Sequence, residues 1–563
     1  MTSFKMKSLI ASLGIRERVV FIVAGLCLII GIFGGLVTLS NLFTKQIPIH
    51  GGTYREGIVG SPRFINPVLA TSDADQDLVN LVYSGLVRIA PDGSSESDLA
   101  STWTISPDGK TYTVTLKPKL VFHDGKPLTS SDVAFTISKI QDPTLKSPLR
   151  VAWDGVTVST PDAQTVVFQL VKPYSGFLNQ LTVGILPEHI WSSISNDDWL
   201  TTQYESEPIG SGPYKIASVD RSRVGITQSV NLVAYKKFTL GEPYIKNIDI
   251  VSFANTDDAE SAFHSRSIDG LAAIDSSDIG TTRTSHTNVL TSPTPRVFGL
   301  FFNPSKNKIF SDQTVIKAFN LAIDKDAIIQ SVFNGYAHPL NGPLPESLDT
   351  SLPDNQTSLT LAGTLLDKDG WKLNPKTGIR EKTVNKSTTR LSFSISTANT
   401  PELQASANLI SDQLQKLGVE TSVKVFEVGN LNQNVIRGRD FESLLFGEIV
   451  HQDTDIYAFW DSSQRSDPGL NITGYSNKHV DTLLQSVLKE TDPNKQATIY
   501  SQISAQLAND APVVFLYTPD FIYLVDQKIK NVSIPAVTDP SDRFSQINTW
   551  YTYTDHVWNF FLK

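Results

Sequence analysis

The sequence predicts an α/β protein with two lobes, preceded by one N-terminal transmembrane helix. The chain has 563 residues, whereas a single compact core rarely grows beyond about 250–300 residues, so at least two lobes are expected. Strand-like and helix-like patterns alternate throughout the chain, which is typical of the α/β and mixed classes. An uncharged run from Val19 to Leu39 precedes these patterns.

The uncharged run is long enough to cross a membrane. At about 1.5 Å per residue, Val19–Leu39 makes about 30 Å of helix, which matches the hydrocarbon core of a bilayer. Four basic residues precede it within residues 1–18, and the positive-inside rule places such a flank in the cytoplasm. We therefore expect a cytoplasmic N-terminus at 1–18, a single-pass anchor in the cell membrane at 19–39 and an extracellular C-terminal domain.

Two other fates of this segment are less well supported. A cleaved signal peptide usually has an apolar region of about 7–15 residues, which is shorter than this run. A lipoprotein would be cleaved before Cys27 and lipidated there, but the preceding Leu26 is large for a cleavage site and the apolar run continues past Cys27. A retained anchor is therefore favoured over lipidation and over simple cleavage.

Charge and cysteine content exclude several classes of partner and site. The formal net charge is −9; residues 1–39 carry +3, so the rest of the chain carries −12. Such an acidic domain argues against nucleic acid or an anionic membrane surface as the main partner. Cys27 is the only cysteine, which excludes a disulfide framework and a thiolate metal site in the expected ectodomain.

A strand and a helix are predicted early in the chain. Tyr112, Val114 and Leu116 alternate with threonines, and this period of two predicts a half-buried strand. Thr129 and Asp132 are predicted to open the helix that follows, since hydroxyl and carboxylate side chains satisfy free N–H groups at a helix start.

The clearest unit is a helix followed by a strand. Thr400 is a predicted cap with Pro401 at the first helical position, and apolar residues recur at helical spacing as far as Leu417. Gly418 ends the helix, and Val419–Val425 then alternates with period two. This pattern predicts a helix that packs on a sheet and leads into a buried strand.

Catalytic and cofactor signatures are missing. The chain has no Gly-x-Ser-x-Gly elbow, no His-Glu-x-x-His zinc helix, no phosphate-binding loop and no dinucleotide fingerprint. His451, Asp453 and Asp455 come nearest to a metal cluster, but three polar residues in a loop are more often solvated than ligating. The sequence therefore predicts neither an enzyme nor a cofactor or metal site.

Several short stretches, taken in order, resemble one family. The stretches include Gly51-Gly52-Thr53-Tyr54, Val82-Tyr83-Ser84-Gly85-Leu86, Phe122-His123-Asp124-Gly125, Pro208-Ile209-Gly210-Ser211-Gly212-Pro213-Tyr214, Lys317-Ala318-Phe319-Asn320-Leu321-Ala322-Ile323-Asp324 and Gly474-Tyr475-Ser476-Asn477. Each is weak alone, but their number and order along most of the chain resemble the family 5 extracellular solute-binding proteins, which include oligopeptide, dipeptide and nickel receptors.

The resemblance implies a periplasmic-binding-protein type II-like fold, in which two lobes close over a cleft and one of them carries an extra small domain. The hinge crossings are then expected at Val297–Asn303 and Val513–Thr518. The implied boundaries are 45–81, 203–299 and 523–563 for lobe I, 82–202 for the extra domain and 300–522 for lobe II.

The resemblance also implies a function, that of the substrate-binding subunit of an ABC importer. Such a subunit encloses its ligand, here expected to be an oligopeptide, and docks on permease subunits in the membrane. In the peptide binders an aspartate of the second lobe pairs with the ligand's ammonium group, and Asp453 and Asp455 occupy the matching region, with Asp453 favoured. Phe446, Tyr457 and Trp460 are further candidate contacts, although core packing is the favoured role for Tyr457 and Trp460. A monomeric ectodomain is expected.

This region also departs from the family pattern. Ile456 stands where a proline is usual, and Glu448 stands where a tryptophan often follows the glycine. Two alternatives to peptide import therefore stay open: a receptor of the same fold for nickel chelates or another small solute, and a membrane-anchored sensor without transport.

Overall fold

The computed structural model describes residues 14, 16–17, 19–20, 23–32, 44–90, 93–174, 176–272, 274–345, 358–450, 453–467, 469–490, 492–535, 537–558 and 560, without the side chains of residues 453–455 and 493. The predicted anchor is described only at residues 19–20 and 23–32, which are helical. Its other residues lie outside the description. Among the described residues, no helix has both the length and the apolar character needed to span a bilayer.

Twenty-three strands run through the described chain. In chain order they are β1 Thr44–Ile49, β2 Thr53–Val59, β3 Val87–Ile89, β4 Ser95–Ser97, β5 Ala100–Ile105, β6 Thr111–Leu116, β7 Thr157–Asp162, β8 Thr165–Gln169, β9 Tyr214–Arg221, β10 Thr227–Ala234, β11 Asn247–Phe253, β12 Gly270–Ala272, β13 Thr287–Pro293, β14 Arg296–Phe302, β15 Ala337–Pro339, β16 Lys372–Leu373, β17 Arg380–Val384, β18 Ser387–Arg390, β19 Ser392–Ala398, β20 Glu420–Phe426, β21 Ser443–Ile449, β22 Val513–Asp526 and β23 Tyr553–Trp558.

Helices alternate with these strands. The α-helices are Asp73–Val82, Ser130–Gln141, Phe177–Gln180, Glu188–Trp191, Thr256–His264, Ile279–Thr282, Gln313–Ala322, Lys325–Phe333, Leu359–Lys368, Pro401–Lys416, Val428–Asn430, Asp453–Trp460, Lys478–Val487 and Pro493–Asp510. Short 3₁₀ helices occupy Asn196–Thr201, Gln203–Glu205, Lys308–Ser311, Ser462–Gln464, Pro540–Phe544 and Ile547–Thr549, and a π-helical turn occupies Leu431–Ile436.

One twelve-stranded mixed sheet runs through the centre of the molecule. Ten of its strands follow the order β20-β19-β21-β14-β22-β12-β2-β11-β10-β9, while β13 and β15 also pair with β22. The pairs β19–β20, β19–β21, β2–β11 and β2–β12 are parallel. The helix Pro401–Lys416 forms the crossover between β19 and β20, since parallel strands need a long connection. A separate antiparallel sheet has the order β5-β6-β8-β7.

The long strand β22 links the two halves of the central sheet. Its first residues pair with β14, and its last residues pair with β13 and β12. The chain also crosses between the halves where β13 leads into β14. The two crossings are joined by hydrogen bonds: Thr294 donates its backbone N–H and its hydroxyl to the Pro519 carbonyl at 3.0 and 2.7 Å, and the Thr518 hydroxyl donates to the Thr294 carbonyl at 2.8 Å.

Strand β21 separates two cores. Successive residues of a strand point to opposite faces, so Leu445 joins a core that includes Phe393 and Tyr517, whereas Leu444 joins one that includes Trp460 and Phe515. The second of these cores is the one that reaches the candidate site. A third, larger core lies in the half of the molecule that carries β2 and the four-stranded sheet.

Most locally patterned elements are confirmed. Tyr112, Val114 and Leu116 on β6 are buried as the alternation predicted. The helix Ser130–Gln141 begins with a capping box between Thr129 and Asp132. Two free N–H groups are thereby satisfied at one helix end.

The later helix is confirmed, but the strand after it differs from the prediction. The helix Pro401–Lys416 buries Ala407, Ile410 and Leu414. Strand β20 was expected to be buried, yet it lies at the edge of the sheet, and Val425 is 45% exposed. The period of two was correct; it is also the pattern of an edge strand with one covered face.

Candidate ligand-binding site

A cavity of about 380 Å³ lies beside the C-terminal end of β21. Small-molecule sites commonly have volumes of about 300–1,000 Å³, so this cavity has the size of one amino-acid side chain or a small solute. Four chain segments contribute side chains to its wall. The lining residues are Asn432, Gln433, Ile436, Arg437, Phe446, Glu448, Phe459, Leu470 and Ile472.

Two of these residues come from one face of β21. Phe446 and Glu448 are two positions apart, so both side chains project to the same side. Glu448 is paired with Val297 and Phe446 with Gly299 of β14, the strand that follows one crossing. Gly447 between them must be small, because a Cβ there would lie 2.6 Å from carbon atoms of the Phe298 ring.

The wall opposite β21 is built on the π-helical turn Leu431–Ile436. Its Leu431 and Val435 are buried in the core that contains Trp460, while Asn432 and Gln433 are exposed. The preceding turn is held because the backbone N–H of Asn430 donates to the Glu427 carboxylate at 3.0 Å. Single π-turns are common at functional sites, because the extra residue moves side chains off the regular helical positions.

The rim of the cavity is exposed to solvent, whereas its floor is buried. Asn432, Gln433 and Arg437 at its rim are exposed, and Leu470 is 46% exposed. Ile472 is buried, and Glu448 is only 3% exposed. The floor therefore places a carboxyl group among apolar side chains.

The Glu448 carboxyl has no compensating partner within the described part of the chain. No described side chain or backbone group forms a hydrogen bond or ion pair with it, and burial raises the pKa of Glu448 well above its usual range. An ionised carboxylate buried without a partner is costly, so burial favours the protonated acid. A ligand that brought a positive charge would reverse that preference.

The residues predicted to contact ligand lie at different positions relative to this cavity. Phe446 is half-buried and lines the cavity. Asp453 and Asp455 belong to the first turn of the helix Asp453–Trp460, but their side chains lie outside the described part of the chain. Tyr457, half-buried, has its hydroxyl 3.3 Å from that of Ser463.

Trp460 faces away from the cavity wall in this structure. Its indole is 1% exposed and packs against Tyr475 and Phe515, with ring centroids 6.1 and 5.9 Å away. The neighbouring Phe459, which was not predicted, lines the cavity instead. On a helix, adjacent residues point in directions about 100° apart, so a one-residue difference exchanges a core position for a cavity position.

The remaining lining residues were also missed. Ile436, Arg437, Leu470 and Ile472 come from turns and loops with no motif around them. Only the placement of a π-turn and a loop against β21 brings them together. Within the described residues, no group of three or more His, Cys, Asp and Glu side chains could hold a metal; His451 and the side chains of Asp453 and Asp455 lie outside them.

A second group of buried charges is fully paired and supports the scaffold. The Arg543 guanidinium donates to both oxygens of Asp77 at 2.7 Å and, through Nε, to Glu56 at 2.9 Å. Tyr54 and Tyr523 donate their hydroxyls to the same Glu56 carboxylate. Because every charge in this cluster has a partner, the cluster is a structural connection between β2, the helix Asp73–Val82 and the C-terminal segment.

His123 is a partly buried polar group with a structural role. The Gly210 N–H donates to its Nδ1 at 3.3 Å, so Nε2 carries the hydrogen and donates to the Gly212 carbonyl at 3.1 Å. Burial lowers the pKa of His123 to about 4. The segment around Gly210 passes closely against Val82, since a Cβ on Gly210 would lie 2.0 Å from the Val82 carbonyl oxygen.

Comparison with known proteins identifies a family and several proteins that this chain resembles. The family described as bacterial extracellular solute-binding proteins, family 5 Middle, matches residues 95–468. The oligopeptide-binding protein AppA of Bacillus subtilis is 27% identical over 497 residues, which cover 84% of this chain and 87% of the relative. The probable D,D-dipeptide-binding periplasmic protein DdpA of Escherichia coli is 24% identical over 493 residues, which cover 84% and 90%.

Solved structures share the fold. The Bacillus subtilis AppA complex with a nonapeptide has a TM-score of 0.64 and 24% identity and covers 90% of this chain and 100% of that one. The NikZ complex with Ni(L-His) from Campylobacter jejuni has a TM-score of 0.67 and 25% identity and covers 89% and 99%. The predicted mixed α/β fold of the periplasmic-binding-protein kind is thereby confirmed.

Proposed function

Because the chain belongs to the bacterial extracellular solute-binding proteins of family 5, we propose that it is the substrate-binding subunit of an ABC importer that captures oligopeptides. The single observation that carries the ligand class is the similarity to an oligopeptide-binding protein over 84% of the chain. The captured peptide is delivered to permease subunits in the membrane. The chain acts as a binding protein without catalysis and without a nucleic-acid partner, as a monomeric ectodomain.

Capture uses closure of two lobes. The proposed boundaries are those implied by the sequence, with lobe I at 45–81, 203–299 and 523–563, the extra domain at 82–202 and lobe II at 300–522. The two crossings joined at Thr294 and Thr518 support this division, since a hinge needs few connections that can absorb a change in backbone angles. A ligand that contacts both lobes favours the closed form by its differential affinity.

The ligand's ammonium group is proposed to pair with the acidic start of the helix Asp453–Trp460. Asp453 is the favoured partner and Asp455 the second. Phe446 supplies an apolar wall next to this helix, and Tyr457 lies on the same helix. Trp460 packs the helix against the core. This side chain contacts ligand only if the helix moves on closure.

Membrane attachment is proposed through Val19–Leu39 as a retained single-pass helix in the cell membrane, with the binding domain outside. Its described helical part is exposed on several sides, with Leu28, Ile29 and Ile30 each more than 60% exposed, as expected for a helix whose apolar surface needs lipid. Intact-mass measurement of the membrane fraction tests this. An uncleaved, unlipidated mass supports the anchor, whereas a lipidated mass beginning at Cys27 or a shortened, water-soluble product rejects it.

Native mass spectrometry of ligand that co-purifies with the full chain in mild detergent tests the function. A ladder of peptide masses supports oligopeptide capture. A uniform mass carrying nickel would instead support a metal-chelate receptor, the second candidate, which the structural similarity to NikZ favours. A permease and an ATPase encoded next to the gene would favour transport, and an isolated gene would favour a sensor.

A further inference from the structure

The floor of the cavity beside β21 carries a buried acidic group that the proposed function does not use. We infer that this cavity is a side-chain pocket selective for a cationic residue, lysine or arginine, and that Glu448 is its specificity-determining residue. The inference rests on the proposed peptide-binding function and names the chemistry that one of its subsites would recognise.

The shape of the pocket suits a long side chain with a charge at its end. Leu470 at the rim and Ile472 deeper in the wall, with Phe446 and Phe459, form apolar sides. Glu448, only 3% exposed, forms the floor. Methylene groups of an entering lysine or arginine would contact the apolar sides, as such stems commonly do, while the charged end would reach the carboxyl.

The chemistry of the floor distinguishes a cation from a neutral group. Within the described chain no group satisfies the Glu448 carboxyl. A hydrogen-bond donor or a positive charge on the ligand could therefore pair with it. A cation gives an ionised carboxylate a charge-assisted hydrogen bond, which is about twice as strong as a neutral one. An uncharged aliphatic side chain of the same length leaves the carboxyl without a partner.

The one described cation on the pocket wall does not pair with the Glu448 carboxyl. Arg437 lines the cavity from its exposed rim and makes no ion pair with Glu448. Solvent screens its charge there, whereas the charge of Glu448 lies in a poorly solvated environment. Repulsion of an incoming cation by Arg437 is therefore weaker than attraction by an ionised Glu448.

The position of the pocket connects it with ligand capture. Glu448 is paired with Val297, and the next residue but one, Val450, donates its N–H to Pro295 at 2.7 Å, in the connection between β13 and β14. A ligand held at the crossing between the two halves of the sheet would have this pocket within reach of one side chain.

Calorimetry with two matched peptide sets tests the inference on the full chain. Each peptide of one set carries a single lysine, moved in turn to every position of an otherwise uncharged sequence. The other set carries norleucine, which has the same stem without the ammonium group. We expect lysine to bind at least tenfold more tightly than norleucine at one position, and we expect Glu448→Gln to abolish that preference.

The matched control is Glu420→Gln, which removes the same charge from the exposed edge strand β20, and it should retain the preference. Equal affinity for lysine and norleucine at every position of the wild-type protein would overturn the inference alone, whatever the variants do. A preference that persists in Glu448→Gln would also overturn it. Failure of all peptides to bind would overturn the proposed function, and the inference with it.

Discussion

The Thr518 hydroxyl donates a 2.8 Å hydrogen bond to the Thr294 carbonyl, at the place where both connections between the halves of the central sheet pass side by side. Thr518 is fully buried. Its hydroxyl therefore joins the two crossings directly and holds them in one register.

Removing this hydroxyl should destabilise the protein. Thr518→Val keeps the shape of the side chain and loses the donor, and loss of one hydrogen bond of this kind costs about 0.5–1.5 kcal/mol. Urea unfolding should show this loss in the free energy of unfolding. Thr518→Ser keeps the hydroxyl and is the control; if serine and valine were equally destabilising, the hydrogen bond would not be the cause.

Breaking the buried charge cluster should cost more. Arg543→Met leaves Asp77 and Glu56 buried without their cation, and removal of one partner from such a cluster costs about 3–5 kcal/mol. The exposed pair Arg221–Glu207 gives the contrast, since Arg221→Met should change the free energy of unfolding by less than about 1 kcal/mol. Equal losses for the two variants would contradict the structural role assigned to Arg543.

The partly buried imidazole of His123 should make stability depend on pH. Burial lowers its pKa to about 4 in the folded protein, whereas the unfolded chain protonates near pH 6.5. The unfolded state therefore binds the proton first, and this group's contribution is present above about pH 6.5 and is lost as the pH falls toward 4. Between pH 7 and pH 5 the loss should be about 2 kcal/mol.

His123→Gln has no titrating ring at this position and is the comparison that isolates the effect. Its free energy of unfolding should fall less than that of the wild type over the same interval, when both are measured by urea unfolding at pH 7 and pH 5. Parallel pH dependences would show that the imidazole does not remain neutral in the folded protein.

Replacement of the proposed ammonium partner should weaken peptide binding. Asp453→Ala removes the favoured carboxylate and should raise the dissociation constant at least tenfold, because the ligand's charge would then be enclosed without a partner. Asp455→Ala should have the smaller effect. Unchanged affinity of the Asp453 variant in calorimetry would reject the assignment.

Local pattern predicted the elements with a clear period. The strand at Tyr112 and the helix after Thr400 follow from alternation and from helical spacing, because burial of one face determines both. The exposure of β20 could not be predicted from its sequence, because alternation of apolar and polar residues occurs in both edge strands and central strands. A strand's position in a sheet depends on partners far along the chain.

The candidate site was predictable only in part for the same reason. Phe446 was predicted through the resemblance to a family and lines the cavity, and Glu448 was noticed as a departure from that family. The role of Asp453 stays a prediction. The opposite wall comes from Asn432–Arg437 and from Leu470 and Ile472, which no periodicity relates to β21. The tie between Arg543 and Asp77 spans 466 residues and likewise depends on tertiary structure.

Peptide capture is the central claim, and a calorimetric titration of the purified full chain with defined oligopeptides tests it most directly. We expect saturable binding of one peptide per chain, with little dependence on most side chains because the peptide backbone and its ammonium group supply the shared contacts. Free amino acids and Ni(L-His) should bind far more weakly. Tight binding of Ni(L-His) without any peptide binding would show that the chain is not a peptide receptor.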